Sequence, residues 1–322
     1  MQLNLHLKPF SFRLNKTLKT SNGVIEKKQG WLIHLENPSG QFGWGEVSPF
    51  NIDERNICGQ RLYDLGTNPS RDELENCIGI GPAALAFGLG AALAELDGLV
   101  GTKTSEGWLN PPGSAVLLPE NKSLLNEIDY LLANSKGKNF PITFKWKVAI
   151  EPVNDEQRLL HQILKRLPLN ARLRVDANAG WNREEANAWA TLFHQEPRLE
   201  WLEQPLPADD LEGLTKLLEL VPIALDESLI RNPSLRKSWK YWQVRRPLID
   251  GDPRLLLKEL EQGVGYRVIS TAFETGIGRR WLNHLARLQL RGPTPTAPGL
   301  APGWCPQGPL FSFEPELVWK AA

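Results

Sequence analysis

Two rhythms of apolar and polar positions divide the chain. Over residues 1 to about 50 they alternate with period two between Gly/Asn turns. This predicts three short strands, near 3–12, at 30–35 and ending in Gly-Trp-Gly-Glu-Val-Ser-Pro (43–49), as an antiparallel meander. Residues 52–100 change to a helical period and close with the Ala-rich run 83–96 behind Pro82. That run reads as a buried helix, too short to cross a bilayer. A Gly/Pro/Ser-rich linker follows at 101–113.

Beyond the linker, short apolar runs at 114–119, 142–148, 172–178, 199–205, 223–228, 241–247 and 266–273 read as strands. Helical patterns lie between most of them, at 124–133, 155–166, 183–193, 208–220 and 253–262, with a short one before 241 and another at 278–290. A last strand is expected near 309–313. Strand and helix in repeated alternation mean a parallel sheet with helical crossovers. A TIM-type barrel and a doubly wound open sheet both fit that repeat. The segments 79–84 and 276–281 lack the third glycine of a dinucleotide fingerprint, and no P-loop is present.

Composition narrows the function classes. Lys+Arg and Asp+Glu both number 37 in 322 residues, so no net charge points to nucleic acid or an anionic membrane. The three cysteines, Cys58, Cys77 and Cys305, form no metal or disulfide pattern, which suits a reducing compartment. The first twenty residues lack a continuous apolar stretch and are not expected to be a signal peptide. The expectation is a soluble cytoplasmic protein acting on a small molecule, with monomer or homo-oligomer left open.

The chemistry sits where the strands end. Asp176, Glu203 and Asp226 close three successive strands, and with Lys147 they fall 29, 27 and 23 residues apart, one strand–helix unit per step. A single such acid usually caps the next helix. Three on adjacent strands, about 4.8 Å apart, would repel one another. A divalent cation resolves the conflict, and all-oxygen ligands favour Mg²⁺. Asn178 and Glu227 stand beside them as outer hydrogen-bonding groups.

The strand before this trio reads Thr-Phe-Lys-Trp-Lys-Val (143–148). Lys145 and Lys147 share one face and Trp146 takes the other. On its own the pair reads as a wet edge; beside an acidic site it reads as a wall of that site. A lysine next to a second ammonium and partly desolvated gives up its proton more readily, as a general base requires. A metal ion can hold a substrate carboxylate and stabilise the enediolate formed when the α-proton leaves. The reaction class is proton abstraction α to a carboxylate.

Lys-x-Lys on one strand, then Asp-x-Asn, Glu-Gln-Pro and Asp-Glu-Ser on the next three, resembles the enolase superfamily. That superfamily's use of a lysine base with Mg²⁺ is a known pattern. The segments 43–49, 115–119 and 268–278 are similar to its o-succinylbenzoate synthase branch within the muconate-lactonizing-like enzymes. The resemblance covers nearly the whole chain. It implies an α/β fold: a modified TIM barrel, (β/α)7β, over 113–304, with an α+β N-terminal capping domain over 1–105 completed by the tail 305–322. It implies syn dehydration of 2-succinyl-6-hydroxy-2,4-cyclohexadiene-1-carboxylate to o-succinylbenzoate, on the route to menaquinone or phylloquinone. Lys147 would be the acid/base, Lys145 its electrostatic partner, and Asp176, Glu203 and Asp226 the Mg²⁺ ligands.

One position departs from the family pattern. Arg246 stands before Pro247 where the family has a second lysine. Arginine stays protonated and cannot be a general base. A racemase or epimerase needs acid/base groups on both faces of the α-carbon, whereas a syn elimination needs one. Arg246 can still stabilise the enediolate as a permanent cation. Another lysine-type member, a muconate cycloisomerase or dipeptide epimerase, and a catalytically silent metal-binding barrel remain the alternatives.

Expected substrate contacts are Thr271 in the seventh strand, Thr275 and Gly276 in the segment after it, and Ser21 in the 18–23 loop. The N–H groups around Gly276 and Gly278 could hold a carboxylate, and a glycine-permitted turn explains them equally. His161, His194 and His284 fall on predicted helices and His6 and His34 on strands, so none is expected to be the base.

Overall fold

The computed structural model describes residues 2–20, 23–101, 104–119, 123–134, 142–304 and 306–322. The chain divides into two compact units, one of residues 1–112, 245–265 and 269–322, the other of residues 113–244 and 266–268.

The first unit begins with an antiparallel sheet of β1 (Asn4–Thr20), β2 (Gly23–Glu36) and β3 (Phe42–Val47), in that order. Three helices follow, α1 (Ile52–Leu65), α2 (Arg71–Ile80) and α3 (Ala83–Leu96). Asn51 caps α1 and Ser70 closes a capping box on α2, which is why each starts where it does. Helix α3 is buried on nearly every side, so its composition is apolar all round. The Gly-Trp-Gly-Glu stretch explains how β3 meets it. A Cβ at Gly43 would lie 2.0 Å from Ala92 O, and one at Gly45 2.0 Å from Gly88 O. Only glycine lets strand and helix backbones approach so closely.

The second unit carries a parallel strand–helix repeat. Its elements are β4 (Val116–Leu117), α4 (Leu124–Ala133), β5 (Thr143–Lys147), α5 (Val153–Arg166), β6 (Arg172–Asp176), α6 (Arg183–Phe193), β7 (Leu199–Glu203), α7 (Leu211–Leu217), β8 (Ile223–Leu225), α8 (Glu227–Arg231) and α9 (Leu235–Ser238). The strands continue with β9 (Trp242–Arg245) and β10 (Arg267–Ile269), while the helices α10 (Pro247–Asp250), α11 (Pro253–Glu261) and α12 (Gly276–Arg291) belong to the first unit. The sheet runs β4 to β10 in sequence order with its mapped pairings parallel, the arrangement of a (β/α) barrel rather than of a doubly wound sheet. A single parallel bridge, Ser270 to Gly299, continues the order beyond β10.

The strand expected near 309–313 does not form. Pro309–Phe311 is a 3-10 turn and Pro315–Ala321 is a helix, α13. Prolines at 309 and 315 each lack the N–H a strand would use and suit a first helical turn. Among the described residues, no helix is long and apolar enough to cross a membrane. Cys58 and Cys77 are buried free thiols.

Candidate active site

Strand β5 shows why two lysines sit in an apolar run. Phe144 and Trp146 are buried, and Trp146 meets Trp189 of α6 edge to face with 5.9 Å between ring centres. Lys145 and Lys147 therefore take the sheet's other face, shared with the next strands. In the parallel register Lys147 stands opposite Asp176, and Asp176 opposite Glu203. The Lys145 ammonium reaches up its strand and pairs with Asp176 Oδ2 at 2.7 Å and Glu203 Oε1 at 2.6 Å. Asp176, Glu203 and Asp226 are each at most 2% exposed. Carboxylates that deep are costly unless paired.

The pairing is incomplete. Burial works to raise the Asp176 carboxyl, but the Lys145 and Lys147 charges outweigh it and hold it below the usual carboxylate range. Glu203 moves the other way, pushed up by burial and by the Asp176 charge beside it, with Lys145 offsetting only part. Apart from its ion pair with Lys145, the buried Asp176 Oδ2 has no hydrogen-bond partner. Surplus negative charge, a buried oxygen held only by the Lys145 ammonium and an all-oxygen donor set fit a hard divalent cation. Among the described residues, no three acidic, histidine or cysteine side chains are already drawn into a closed metal shell; the ammonium of Lys145 lies between two of them.

The expected supporting groups are present. Asn178 donates its N–H to Asp176 Oδ1 (3.0 Å) and its side-chain amide to Glu227 Oε1 (3.3 Å). It adopts φ 45°, left-handed backbone that asparagine tolerates. Two further residues in this unit escaped the sequence reading. Gln204, buried beside Glu203, accepts from the N–H groups of Asp226 and Ser228 with its Oε1 and donates from Nε2 to Leu206 O and Ser228 Oγ. It ties the ends of β7 and β8 together. Glu156 of α5 accepts three backbone N–H groups, from Ala149, Ile150 and Glu151, and so folds the loop that follows Lys147. The Glu-Gln-Pro motif was the signal for Gln204; Glu156 reads only as an acid in the first turn of a helix.

The remaining predicted residues belong to the other unit. Arg246 follows β9 and donates from Nη1 to Thr271 O at 2.9 Å. The Thr271 hydroxyl donates to Glu274 Oε2 (2.8 Å) and accepts from the Phe273 N–H (2.9 Å). Thr275 caps α12. Its hydroxyl donates to Glu46 Oε2 at 2.5 Å, and the N–H groups of Thr275 and Gly278 reach the same oxygen at 3.0 and 3.1 Å. The start of α12 thus takes a carboxylate of the protein itself as its anion. A Cβ at Gly276 would lie 1.8 Å from Ser312 O, so that glycine serves a close backbone approach. Buried Lys28, within reach of the Glu46 charge, donates to Ser48 O at 2.5 Å and lies 4.1 Å from the Phe50 ring centre. Ser21 lies outside the described residues. His284 is buried in α12, where desolvation pushes it down to about 4.

Comparison with known proteins converges on one group. The model described as "Enolase C-terminal domain-like" matches residues 138–239. The chain is 30% identical over 290 residues to an o-succinylbenzoate synthase of Thermosynechococcus vestitus, covering 84% of this chain and 85% of that protein. It is 26% identical over 247 residues to an L-Ala-D/L-Glu epimerase of Bacillus subtilis, covering 67% and 64%. A crystal structure of o-succinylbenzoate synthase from Thermosynechococcus elongatus, with magnesium in its active site, superposes with a TM-score of 0.81 at 26% identity, covering 99% of this chain and all of that one.

Proposed function

The chain belongs to the o-succinylbenzoate synthase family of the enolase superfamily, and from that premise we propose that it carries out the Mg²⁺-dependent syn dehydration of 2-succinyl-6-hydroxy-2,4-cyclohexadiene-1-carboxylate. The product is o-succinylbenzoate, which feeds menaquinone or phylloquinone formation. Lys147 Nζ removes the proton α to the carboxylate and then delivers it to the hydroxyl leaving from the same face. The C–O bond breaks, water departs and the ring becomes aromatic. Lys145 keeps positive charge beside Lys147 and orients Asp176 and Glu203 through its two ion pairs. Asp176, Glu203 and Asp226 would hold the cation, which when bound supplies the charge that stabilises the enediolate. Arg246 remains protonated and contributes charge but no proton transfer. Two buried free thiols suit a reducing cytoplasm.

The observation that carries this reading is the register in which Lys147, Asp176 and Glu203 stand side by side on consecutive strands. The test is loss of diene absorbance from the cyclohexadiene substrate with Mg²⁺ and its abolition by EDTA. No EDTA-sensitive loss would sink the proposal. The epimerase relative keeps one rival in view, and product mass separates the two: dehydration removes one water, while epimerisation leaves the mass unchanged. Arg246 in place of the family's second lysine speaks for dehydration.

A further inference from the structure

Below the acidic layer, the inner face of the sheet carries a second layer of different character. Lys145 stands opposite Arg174, and Arg174 opposite Trp201. The Arg174 guanidinium lies 4.1 Å from the Trp201 ring centre, and its Nε donates to Glu200 Oε2 at 2.6 Å. Trp201 packs on Trp242 at 4.7 Å, and Trp242 meets Tyr266 edge to face at 5.4 Å. Trp201 is fully buried and Arg174 nearly so.

This clamp fixes the indole with its N–H aimed along the strand. Residues two apart on a strand share a face, so the group above Trp201 is Glu203. Trp201 Nε1 donates to Glu203 Oε2 at 3.4 Å, while Lys145 takes Oε1 at 2.6 Å. Among the described residues most buried indoles make no such bond: Nε1 of Trp44, Trp181, Trp189, Trp239 and Trp281 has no partner. A phenylalanine would fill much the same space at position 201; only an indole adds a donor.

We propose that Trp201 is a positioning residue for the metal-binding carboxylate: its N–H fixes the Glu203 oxygen that Lys145 leaves, and Arg174 fixes the indole. The inference rests on the metal-site reading above. With both oxygens held, the carboxylate meets the cation in one orientation and loses little freedom on binding. Groups that orient a ligand in this way typically change metal affinity 10–100-fold when removed. The long 3.4 Å bond puts the expected effect near the low end, on the order of tenfold.

Two measurements test it. Intrinsic fluorescence and near-ultraviolet dichroism of the wild-type protein are followed during Mg²⁺ titration, which needs no variant. Calorimetry then gives the Mg²⁺ dissociation constant for wild type and Trp201→Phe, with thermal unfolding as the check on folding. The expected result is a saturable wild-type indole signal, largely lost in Trp201→Phe, together with about tenfold weaker Mg²⁺ binding by a folded variant. Equal affinity in wild type and Trp201→Phe, or Mg²⁺ binding by wild type with no indole signal, overturns the proposal while leaving the metal site standing. No Mg²⁺ binding by the wild-type protein overturns the metal-site reading and the proposal with it.

Discussion

Replacing Glu156 by alanine should loosen the loop behind Lys147 by a calculable amount. The carboxylate accepts N–H groups at 3.1, 3.1 and 3.2 Å from Ala149, Ile150 and Glu151. A hydrogen bond to a charged group contributes about 1.5–3 kcal/mol net where water is excluded. These three loop residues are exposed, so water takes over part of each bond, and about 1 kcal/mol apiece, about 3 kcal/mol in all, is the expected loss. Ala149 is held at φ 60°, a left-handed conformation that costs a non-glycine residue roughly 1–2 kcal/mol. Once the carboxylate is gone the loop relaxes from it, which returns that strain and leaves a net loss of about 1–2 kcal/mol. Lys147 lies two residues away and loses its fixed direction, so kcat should fall about tenfold or more. Urea denaturation followed by tryptophan fluorescence reads the first effect, and the diene assay reads the second. Ala149→Gly supplies a control: glycine in a regular element costs about 0.5–1 kcal/mol, yet here it should cost nothing. Glu156→Ala within about 0.5 kcal/mol of wild type, or a clear loss of stability in Ala149→Gly, would refute the reasoning.

Other expectations follow from the same contacts. Lys147→Ala should lose about 100- to 10,000-fold in kcat with an unchanged circular dichroism spectrum, while Arg246→Lys keeps much of the dehydration; near-normal turnover by Lys147→Ala would remove its assigned role. Gly45→Ala brings a Cβ to 2.0 Å from Gly88 O, and parting strand from helix should cost at least about 2–3 kcal/mol of stability in denaturant titration. Burial lowers Lys28 from 10.5 to about 8, so above about pH 8 the unfolded chain holds a proton that the folded one has released. Stability should therefore rise between about pH 8 and 10.5 and stay lower below that window, a slope that Lys28→Met flattens. His284 adds an acid-side loss, because its folded value of about 4 lies below the unfolded 6.5. Stability should fall as pH drops through that interval, and thermal melts across pH would show both slopes.

The three carboxylates and the lysine pair were legible in the sequence because their chemistry is tied to a period. A charged residue recurring once per strand–helix unit sits where hydrophobic patterning predicts a strand end, and few structural roles need that. Glu156 and Trp201 carry no such mark, and Gln204 carries only its place in the Glu-Gln-Pro motif. Glutamine after a strand, glutamate in a first helical turn and tryptophan inside a strand are ordinary there, and their roles depend on which atoms of their own strand, a neighbouring strand or a loop they reach in the fold. The Gly-Trp-Gly-Glu stretch served as a family marker, yet its physical content emerged only in the fold: two glycines for backbone contact with α3 and Glu46 for the start of α12. The last helix, α13, was missed because the Phe-Ser-Phe segment next to it alternates like a strand, while the prolines at 309 and 315 start turns instead.

Lys145 has a consequence for how the protein lives with its ion supply. One ammonium already neutralises part of an acidic trio at 2.6 and 2.7 Å, so the trio carries a resident counter-charge from the moment the strands pair. On the proposed Mg²⁺ reading, chain folding and ion loading are separable events. Molecules made in a magnesium-poor cell should accumulate intact and idle, ready to be recruited when the ion returns, and a chelated sample should melt cooperatively and recover its turnover on re-addition of Mg²⁺. Abundance would then answer to synthesis and output to the ion.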